Sequence, residues 1–341
     1  MQLQAYFFLR KYDAGTFSLV LPTVSASISC KNYSKWGTMV GKFLNRIQEN
    51  KFVLWSLILT ITVIWGYAWV LMKESLNFMG PFVFSSFRFG IGAVTLLLMV
   101  VFLKVGFPPR ESWKHLLVVG LLQTAIVFLL VMFALKFVDA GKSSVLLYSM
   151  PIWSSILATK FLHEKIKPAK LTGLFLGMLG LLAILGGDIW MGQDIGVIFG
   201  ELLIIIAAIS WGISNVYYRL HVQHLSKIQA TAFQMLFGAI VILIVTLFME
   251  WGEPIQFNAV SVYYILFTGI LASALCFFVW FVIISVVDIV TATLSTLLVP
   301  LFGLLFSSFF LNETMSFSMI IGFIFIIFGI AVAQIRKPRR V

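Results

Sequence analysis

The fold is decided by a stretch that occurs twice, DAGKSSVLLYSMPIWSSILATKFLHE at residues 139–164 and DIVTATLSTLLVPLFGLLFSSFFLNE at residues 288–313. The two copies share Asp, Pro and Glu in register, at an offset of 149 residues from Asp139 to Asp288. In a chain rich in Leu, Ile, Val and Phe, matches at these three residue types are hard to obtain by chance. The pattern therefore indicates a tandem duplication.

The duplication extends to both sides of this stretch. Trp65-Gly66 matches Trp211-Gly212 at an offset of 146 residues from Trp65 to Trp211, and Arg88 then falls on Gln234. Glycines also recur at the offset of 149 residues, at Gly173 and Gly322 and at Gly180 and Gly329. We expect a first repeat at residues 52–187 and a second at 195–335, after an N-terminal cytoplasmic extension at 1–51. Residues 1–38 lie outside the repeat pattern, either as a disordered tail or as a non-native start before Met39.

Composition places the chain in a membrane. It is 61% hydrophobic and 11% charged, which excludes an ordinary soluble domain. Ten apolar windows are long enough to cross the hydrocarbon layer, and backbone groups in lipid must be satisfied within each segment. The sequence therefore predicts an all-α integral membrane protein with ten transmembrane helices near residues 52–72, 81–103, 115–135, 143–162, 169–187, 195–217, 229–249, 260–284, 290–311 and 316–335.

The loop charges divide between the two sides of the predicted bundle. The side with most of the cations, the basic face, carries Lys42, Arg46, Lys51, Lys104, Arg110, Lys114, Lys160, Lys165, Lys167, Lys170, Arg219, Lys227, Arg336, Lys337, Arg339 and Arg340. The opposite side, the acidic face, carries Asp188, Asp194, Glu250 and Glu253, with Lys73, Lys136 and Lys142. By the positive-inside rule we expect a multi-pass cell-membrane protein with both termini in the cytoplasm. The net charge of +11 thus reflects topology, and no nucleic-acid partner is expected.

Each repeat holds five helices, an odd number. The second repeat therefore enters the membrane from the opposite side, and the two halves form an inverted repeat. Folds of this kind place substrate near the membrane midplane between the halves and work by alternating access.

Several motifs also resemble a known family. Trp65-Gly66, Pro81 and Arg88, the spacing from Asp139 to Pro151, and the ending at residues 161–164 before a glycine resemble the EamA family of the drug/metabolite transporter superfamily. The resemblance covers residues 52–335. It implies ten helices in two halves and small-molecule transport, but it does not indicate a substrate.

Two charged residues within the predicted helices are candidates for function. Arg88 lies deep in the second helix, where a charge is costly and by default marks a functional site. It would bind a substrate carboxylate or, alternatively, anchor backbone carbonyls, pair with Glu201 or snorkel to the interface. Glu201 lies in the sixth helix and is a candidate proton carrier because burial would raise its pKa; the alternative is an interfacial acid that faces water.

Aromatic and polar residues supply the remaining candidates for substrate binding. Trp65 and Trp211 lie beside Gly66 and Gly212, which suggests a cavity wall, with an aromatic belt at the interface as the alternative. Gln123, Tyr148 and Asn215 would supply polar contacts.

The spacing that the two copies of the repeated stretch share suggests two further roles. Pro151 and Pro300 interrupt their helices and are candidates for hinges or for lining a cavity, with static bends as the alternative. Glu164 and Glu313 are expected to cap helices five and ten, and Asp139 and Asp288 to cap helices four and nine.

No motif indicates an enzyme. There is no phosphate-binding loop and no zinc-protease pair, and His221 and His224 are read as solvated residues in a basic loop. We therefore expect no catalytic residues, no metal and no cofactor.

The function that the sequence favours is secondary transport. We expect export of small organic solutes such as amino acids or related metabolites, with a proton as the candidate coupling ion. A membrane enzyme or flippase acting on lipid-linked substrates is the alternative. A monomer is expected by default, with a homodimer as the alternative.

Overall fold

The computed structural model describes residues 50–164, 166–189, 194–313 and 317–333, and in these ranges the chain is helical with no strand. The predicted all-α fold with two inverted halves is confirmed. The expectations for residues 1–38 and for most of the N-terminal extension concern residues outside the described ranges.

Ten helices follow one another in the described chain. They are α1 Lys51–Ser75, α2 Pro81–Phe102, α3 Arg110–Ala134, α4 Ala140–Leu147 with Met150–Phe161, α5 Pro168–Ile189, α6 Ile195–His221, α7 Lys227–Met249, α8 Ala259–Val286, α9 Ile289–Leu311 and α10 Phe317–Ala333. Seven of these, namely α1, α2, α3, α6, α7, α8 and α9, are long and apolar enough to cross a membrane by length and composition.

Helices α4 and α9 are interrupted at equivalent places. In α4 the regular helix stops at Leu147 and resumes at Met150, and in α9 it stops at Ser295 and resumes at Leu298. Pro151 is the second and Pro300 the third residue of the resumed segment, within its first turn, where a missing N–H is tolerated. The repeated prolines thus mark real breaks, and whether these breaks move stays a prediction.

Helices α3 and α8 share a different irregularity. Residues Gly120–Ala125 of α3 and Phe267–Leu275 of α8 form π-helical turns, in which one extra residue widens the helix. Such turns occur frequently at functional sites. They carry Gln123 and Ser273, which both lie between the halves.

The helices pack in pairs that follow the inverted repeat. Helix α1 packs against α9, and its counterpart α6 packs against α4. The equivalent helices α2 and α7 pack against each other, as do α5 and α10. Each of these pairs joins a helix of the first half to a helix of the second half. The interface between the halves therefore forms the core of the molecule.

Gly66 and Gly212 lie where these paired helices cross. A Cβ on Gly66 would overlap Cβ of Phe302 and lie 3.1 Å from the amide nitrogen of Gly303. A Cβ on Gly212 would lie 2.9 Å from Cβ of Trp153 and 3.1 Å from the amide nitrogen of Ser154, the repeat equivalents of the same two neighbours. The absence of a side chain lets each pair of helices approach closely.

Candidate substrate site between the two halves

An aromatic cluster occupies the centre of the interface. Trp65 of α1 contacts Trp211 of α6 and Phe277 of α8, each at 5.9 Å between ring centroids and near-perpendicular. Phe277 lies parallel to Trp211 at 6.2 Å, and Tyr148 of α4 contacts Trp211 at 6.2 Å. All four side chains are buried, so the two tryptophans belong to the core and not to an interfacial belt.

The two equivalent tryptophans differ in their hydrogen bonds. Trp65 Nε1 donates to the carbonyl of Ala272 in the π turn of α8 at 2.9 Å. Trp211 Nε1 is buried and has no hydrogen-bond partner among the described residues. A buried donor without a partner costs about 1–3 kcal/mol, so this indole is available to a bound oxygen acceptor.

Arg88 lies beside this cluster and is 2% exposed. Its Nε donates to Ser273 Oγ of α8 at 2.9 Å, and its Nη1 lies 2.9 Å from Sδ of Met72. The guanidinium carbon lies 4.6 Å from the ring centroid of Phe128. Among the described residues no carboxylate lies within 4 Å of the guanidinium, so its charge is held by a hydroxyl, a thioether and aromatic faces.

Two further amides, Gln123 and Asn215, make separate polar contacts among α3, α4, α6 and α8. Gln123 Oε1 accepts from Ser214 Oγ at 3.0 Å, while Gln123 Nε2 is buried and has no partner in the part of the chain that the structure describes. Asn215 Oδ1 accepts from Trp280 Nε1 at 3.2 Å, and its Nδ2 lies 3.5 Å from Ser154 Oγ. The structure thus brings all six predicted binding residues into the buried interface: Trp65, Arg88, Gln123, Tyr148, Trp211 and Asn215.

Glu201 lies apart from this group. Its carboxylate pairs with Lys142 of α4 at 2.7 Å, and the two side chains are 20% and 15% exposed. Glu201 therefore forms its ion pair with Lys142 and not with Arg88, which was one of the alternatives for Arg88. Its part in proton coupling stays a prediction.

The two glutamates of the repeated stretch lie in unexpected places. We expected Glu164 and Glu313 to cap α5 and α10. In the described chain their hydrogen bonds go to the other half: Ile289 N, at the start of α9, donates to Glu164, and Ala140 N, at the start of α4, donates to Glu313. A sequence cannot show this exchange because the partners are more than a hundred residues apart.

The two aspartates of the same stretch also differ from each other. Both occupy the N-cap positions expected for them. Asp288 Oδ1 accepts from Thr291 N at 2.9 Å, whereas the Asp139 side chain makes no capping bond. The expectation is therefore confirmed for the Asp288 side chain and wrong for that of Asp139, whose helix is capped by Glu313.

Sequence reasoning missed several residues of the interface. Ser273, Phe277 and Trp280 all lie on α8 and contact predicted residues. Ser273 carried a usable signal in the sequence, because Thr124, another hydroxyl residue, stands at the equivalent position of the first repeat. In the structure Thr124 donates to Gln234 Oε1 at 2.9 Å. Phe277 and Trp280 sit in an apolar run where nothing distinguishes them from lipid-facing residues.

Metal ligands are not grouped in the part of the chain that the structure describes. No cluster of three or more His, Cys, Asp or Glu is present there. His221 instead stacks on His115 with ring centroids 4.7 Å apart, and His115 Nδ1 lies 2.8 Å from the hydroxyl of Tyr217.

The two halves match one family of known proteins. Residues 53–186 and 198–334 each match the EamA-like transporter family. The chain belongs to that family. The EamA resemblance in the sequence is thereby confirmed, and the protein is a multi-pass membrane protein of a transporter family.

Named relatives of this EamA protein are transporters. YoaV of Bacillus subtilis, an uncharacterised transporter, is 32% identical over 284 residues that cover 83% of this chain and 97% of the relative. A probable amino-acid metabolite efflux pump of Salmonella typhimurium is 24% identical over 300 residues, covering 84% of this chain and 97% of the pump. These names support a transporter over an enzyme.

The fold of this EamA protein is also found in solved structures. One, described as a crystal structure of a protein, superimposes with a TM-score of 0.67 at 20% identity and covers 84% of this chain and 98% of its own. At that identity the likeness concerns the fold alone.

Proposed function

We propose that this EamA protein is a secondary transporter that exports small organic solutes bearing a carboxylate, such as amino acids or related metabolites, by alternating access between its two halves. The observation that carries the proposal is Arg88. Its guanidinium is buried and has no carboxylate within 4 Å among the described residues, which is unusual because buried charges are normally paired. A solute carboxylate would complete the pair, and Arg suits this role because its planar fork binds carboxylates in two-point fashion.

The surroundings of Arg88 favour an amphipathic solute. Trp65, Trp211 and Tyr148 offer apolar and edge-on aromatic surfaces. Trp211 Nε1 and Gln123 Nε2 are buried donors without partners among the described residues, and both suit further oxygen atoms of a polar solute. Binding sites for small molecules combine an apolar wall with a few placed polar groups in this way.

All six candidate side chains are buried, so solute must enter through a conformational change. The inverted halves provide it, because two equivalent halves can exchange their arrangements across the pseudo-two-fold axis. The relative that is named as an amino-acid metabolite efflux pump supports both the direction of transport and the class of solute.

We propose a cell-membrane location with both termini in the cytoplasm, so that the basic face is the cytoplasmic one. We also propose a proton gradient as the energy source. The protein would act as a monomer.

The experiment is uptake by purified protein in liposomes. A panel of radiolabelled amino acids is offered with and without a pH gradient, beside the same solutes with the carboxylate amidated. The proposal expects saturable movement of acids and none of amides, accelerated by the gradient. Movement of acids and amides alike would remove Arg88 as carboxylate ligand, and movement indifferent to the gradient would remove the proton.

The matched variants separate the site from general damage. Arg88→Gln introduces the residue that the second repeat carries at this place, and we expect the KM for acids to rise about 30-fold or more, as for loss of a buried charge pair worth about 2 kcal/mol. Arg110→Gln removes an exposed charge on the basic face and is expected to leave KM unchanged.

A further inference from the structure

The carboxylate of Glu164 joins the two halves at the basic face. It lies at the end of α4 and accepts a hydrogen bond from Ile289 N, at the start of α9, at 3.4 Å. Arg219, at the end of α6, lies 3.4 Å from the same carboxylate oxygen and donates to the carbonyl of Val287 at 2.8 Å. We call Glu164, Arg219, Val287 and Ile289 the basic-face clasp.

The same arrangement recurs at the acidic face with the halves exchanged. Glu313, at the end of α9, accepts from Ala140 N, at the start of α4, at 3.2 Å. Lys73, at the end of α1, donates to the carbonyl of Val138 at 3.0 Å. Every member is the repeat equivalent of a member of the basic-face clasp, so Glu313, Lys73, Val138 and Ala140 form an acidic-face clasp.

The two clasps hold α4 and α9 together at opposite ends. A glutamate just beyond the end of α4 caps the start of α9, and a glutamate just beyond the end of α9 caps the start of α4. The two helices are therefore joined at both faces of the membrane. A carboxylate at a helix N-terminus is stabilised by the free N–H groups and by the helix dipole, and a bond to a charged group is stronger than a neutral one. Because α4 and α9 belong to different halves, a rocking motion that opens one face must separate one clasp and can leave the other closed.

We propose that Glu164 and Glu313 are the positioning residues of two gates, Glu164 closing the basic face and Glu313 closing the acidic face. The inference rests on the alternating access proposed above. One clasp must break when the protein opens to the basic face, and the other must break when it opens to the acidic face. Both clasps are formed in the structure and the central side chains are buried, as this proposal expects of a state that is closed at both faces.

The two gates differ in their cations. At the basic face the arginine reaches the glutamate itself, whereas among the described residues no ion pair joins Lys73 to Glu313 within 4 Å. Lys73 instead donates to the carbonyls of Leu135 and Val138 at 2.7 and 3.0 Å. Loss of Glu164 therefore leaves Arg219 without its carboxylate, and we expect the basic-face gate to respond more strongly to loss of its glutamate.

The test uses Cys276 of the full-length protein as a reporter. This cysteine is buried in α8, one turn beyond Ser273, which bonds Arg88, and next to Phe277 of the central cluster. Sealed membrane vesicles of each orientation are treated with a membrane-impermeant maleimide, and labelling of the Cys276 peptide is measured by mass spectrometry, which separates it from Cys30. No transport is required, so the result stands whether or not the proposed solute is right.

Glu164→Gln is expected to raise the rate of Cys276 labelling about tenfold from the basic face alone, and Glu313→Gln severalfold from the acidic face alone. Glu250→Gln is the matched control. Glu250 also caps a neighbouring helix at the acidic face, accepting from Val83 N of α2 at 2.7 Å, but it joins α7 to α2 and lies outside the clasps. Its variant is expected to label like the unchanged protein.

Unchanged labelling in both clasp variants, faster labelling of both from one face, or an equal effect of Glu250→Gln would overturn the proposal. Should either clasp variant fail to fold, shown by loss of its thermal transition, Arg219→Gln and Lys73→Gln replace it. These must open the basic and the acidic face respectively, and the opposite assignment would equally overturn it.

Discussion

Arg88 and Gln234 occupy equivalent places in the two halves, and each bonds a hydroxyl at an equivalent place in α8 or α3. Arg88 Nε donates to Ser273 Oγ at 2.9 Å, and Gln234 Oε1 accepts from Thr124 Oγ1 at 2.9 Å. The same side-chain hydrogen bond is thus present in both halves, but only the first half has a positive charge there. Because this bond forms without the charge in the second half, we infer that the charge of Arg88 serves to bind solute and is not needed for folding.

Arg88→Lys is expected to weaken transport of carboxylated solutes less than Arg88→Gln but still measurably. Lysine retains the charge but loses the planar fork and the bond that Nε makes with Ser273. We expect a KM between those of the unchanged protein and the glutamine variant, measured by uptake into liposomes. A lysine variant as poor as the glutamine variant would show that geometry, and not charge, is what Arg88 supplies.

Gly66→Ala and Gly212→Ala are expected to destabilise the fold by about 1–3 kcal/mol each, because the added Cβ meets backbone of the crossing helix. Thermal unfolding in detergent measures the loss as a lower melting temperature. Gly90→Ala is the matched control, since nothing lies within 4 Å of its Cβ position and alanine favours a helix. It should leave the melting temperature unchanged or raise it, and a loss as large as that of Gly66→Ala would contradict the crossing argument.

Pro151→Ala and Pro300→Ala are expected to slow transport without unfolding the protein. Alanine permits a continuous helix across the breaks at residues 148–149 and 296–297, which would stiffen the segments that we expect to move. The rate of uptake and the melting temperature are measured together. Unchanged transport in both variants would show that the breaks are static bends.

The ion pair between Lys170 and Asp288 gives a pH-dependent contribution to stability. Burial alone would raise the pKa of Asp288, but hydrogen bonds from Lys170 and Thr291 lower it below its ordinary value. A carboxyl group with a lowered pKa stabilises the fold above its unfolded-state pKa, and this contribution is lost as pH falls through the lowered value.

Lys170→Met should therefore lower the melting temperature at neutral pH, and the difference from the unchanged protein should shrink below about pH 4. The effect is small because Asp288 keeps 36% of its side chain exposed. Lys167→Met, at an exposed lysine just before α5, should show no such difference. A gap that stays constant from pH 7 to the acid range would assign the effect of Lys170 to packing.

Much of this structure could be predicted from the sequence because the residues that match between the two repeats, Asp, Pro and Glu, are rare in apolar helices. The spacing of Asp139, Pro151 and Glu164 revealed the repeat, and an odd helix count gave the inversion. Arg88 and Trp65 were candidates because of their depth in a helix. Trp211 was one because it repeats the Trp-Gly pair, and Gln123, Tyr148 and Asn215 because they are polar residues in apolar helices. The structure buries all six.

The rest depends on which helix faces which, and a single sequence contains no such information. Glu164 was expected to cap the next helix along the chain, and it instead bonds the start of α9 in the other half. The stacking of His115 on His221 and the pairing of Lys142 with Glu201 are likewise contacts between distant helices. No residue type in the π turns of α3 and α8 predicts the extra residue that each turn contains.

The most direct test of the account is counterflow. Liposomes that contain the purified protein are loaded with an unlabelled amino acid, diluted into a trace of the labelled one, and followed without any ion gradient. A carrier with a site that opens alternately to the two faces accumulates label transiently, because exchange is faster than net loss. We predict such accumulation for a carboxylated amino acid, and its loss in Arg88→Gln with retention in Arg110→Gln. Label that never exceeds its external concentration for any amino acid in the panel would contradict the central claim.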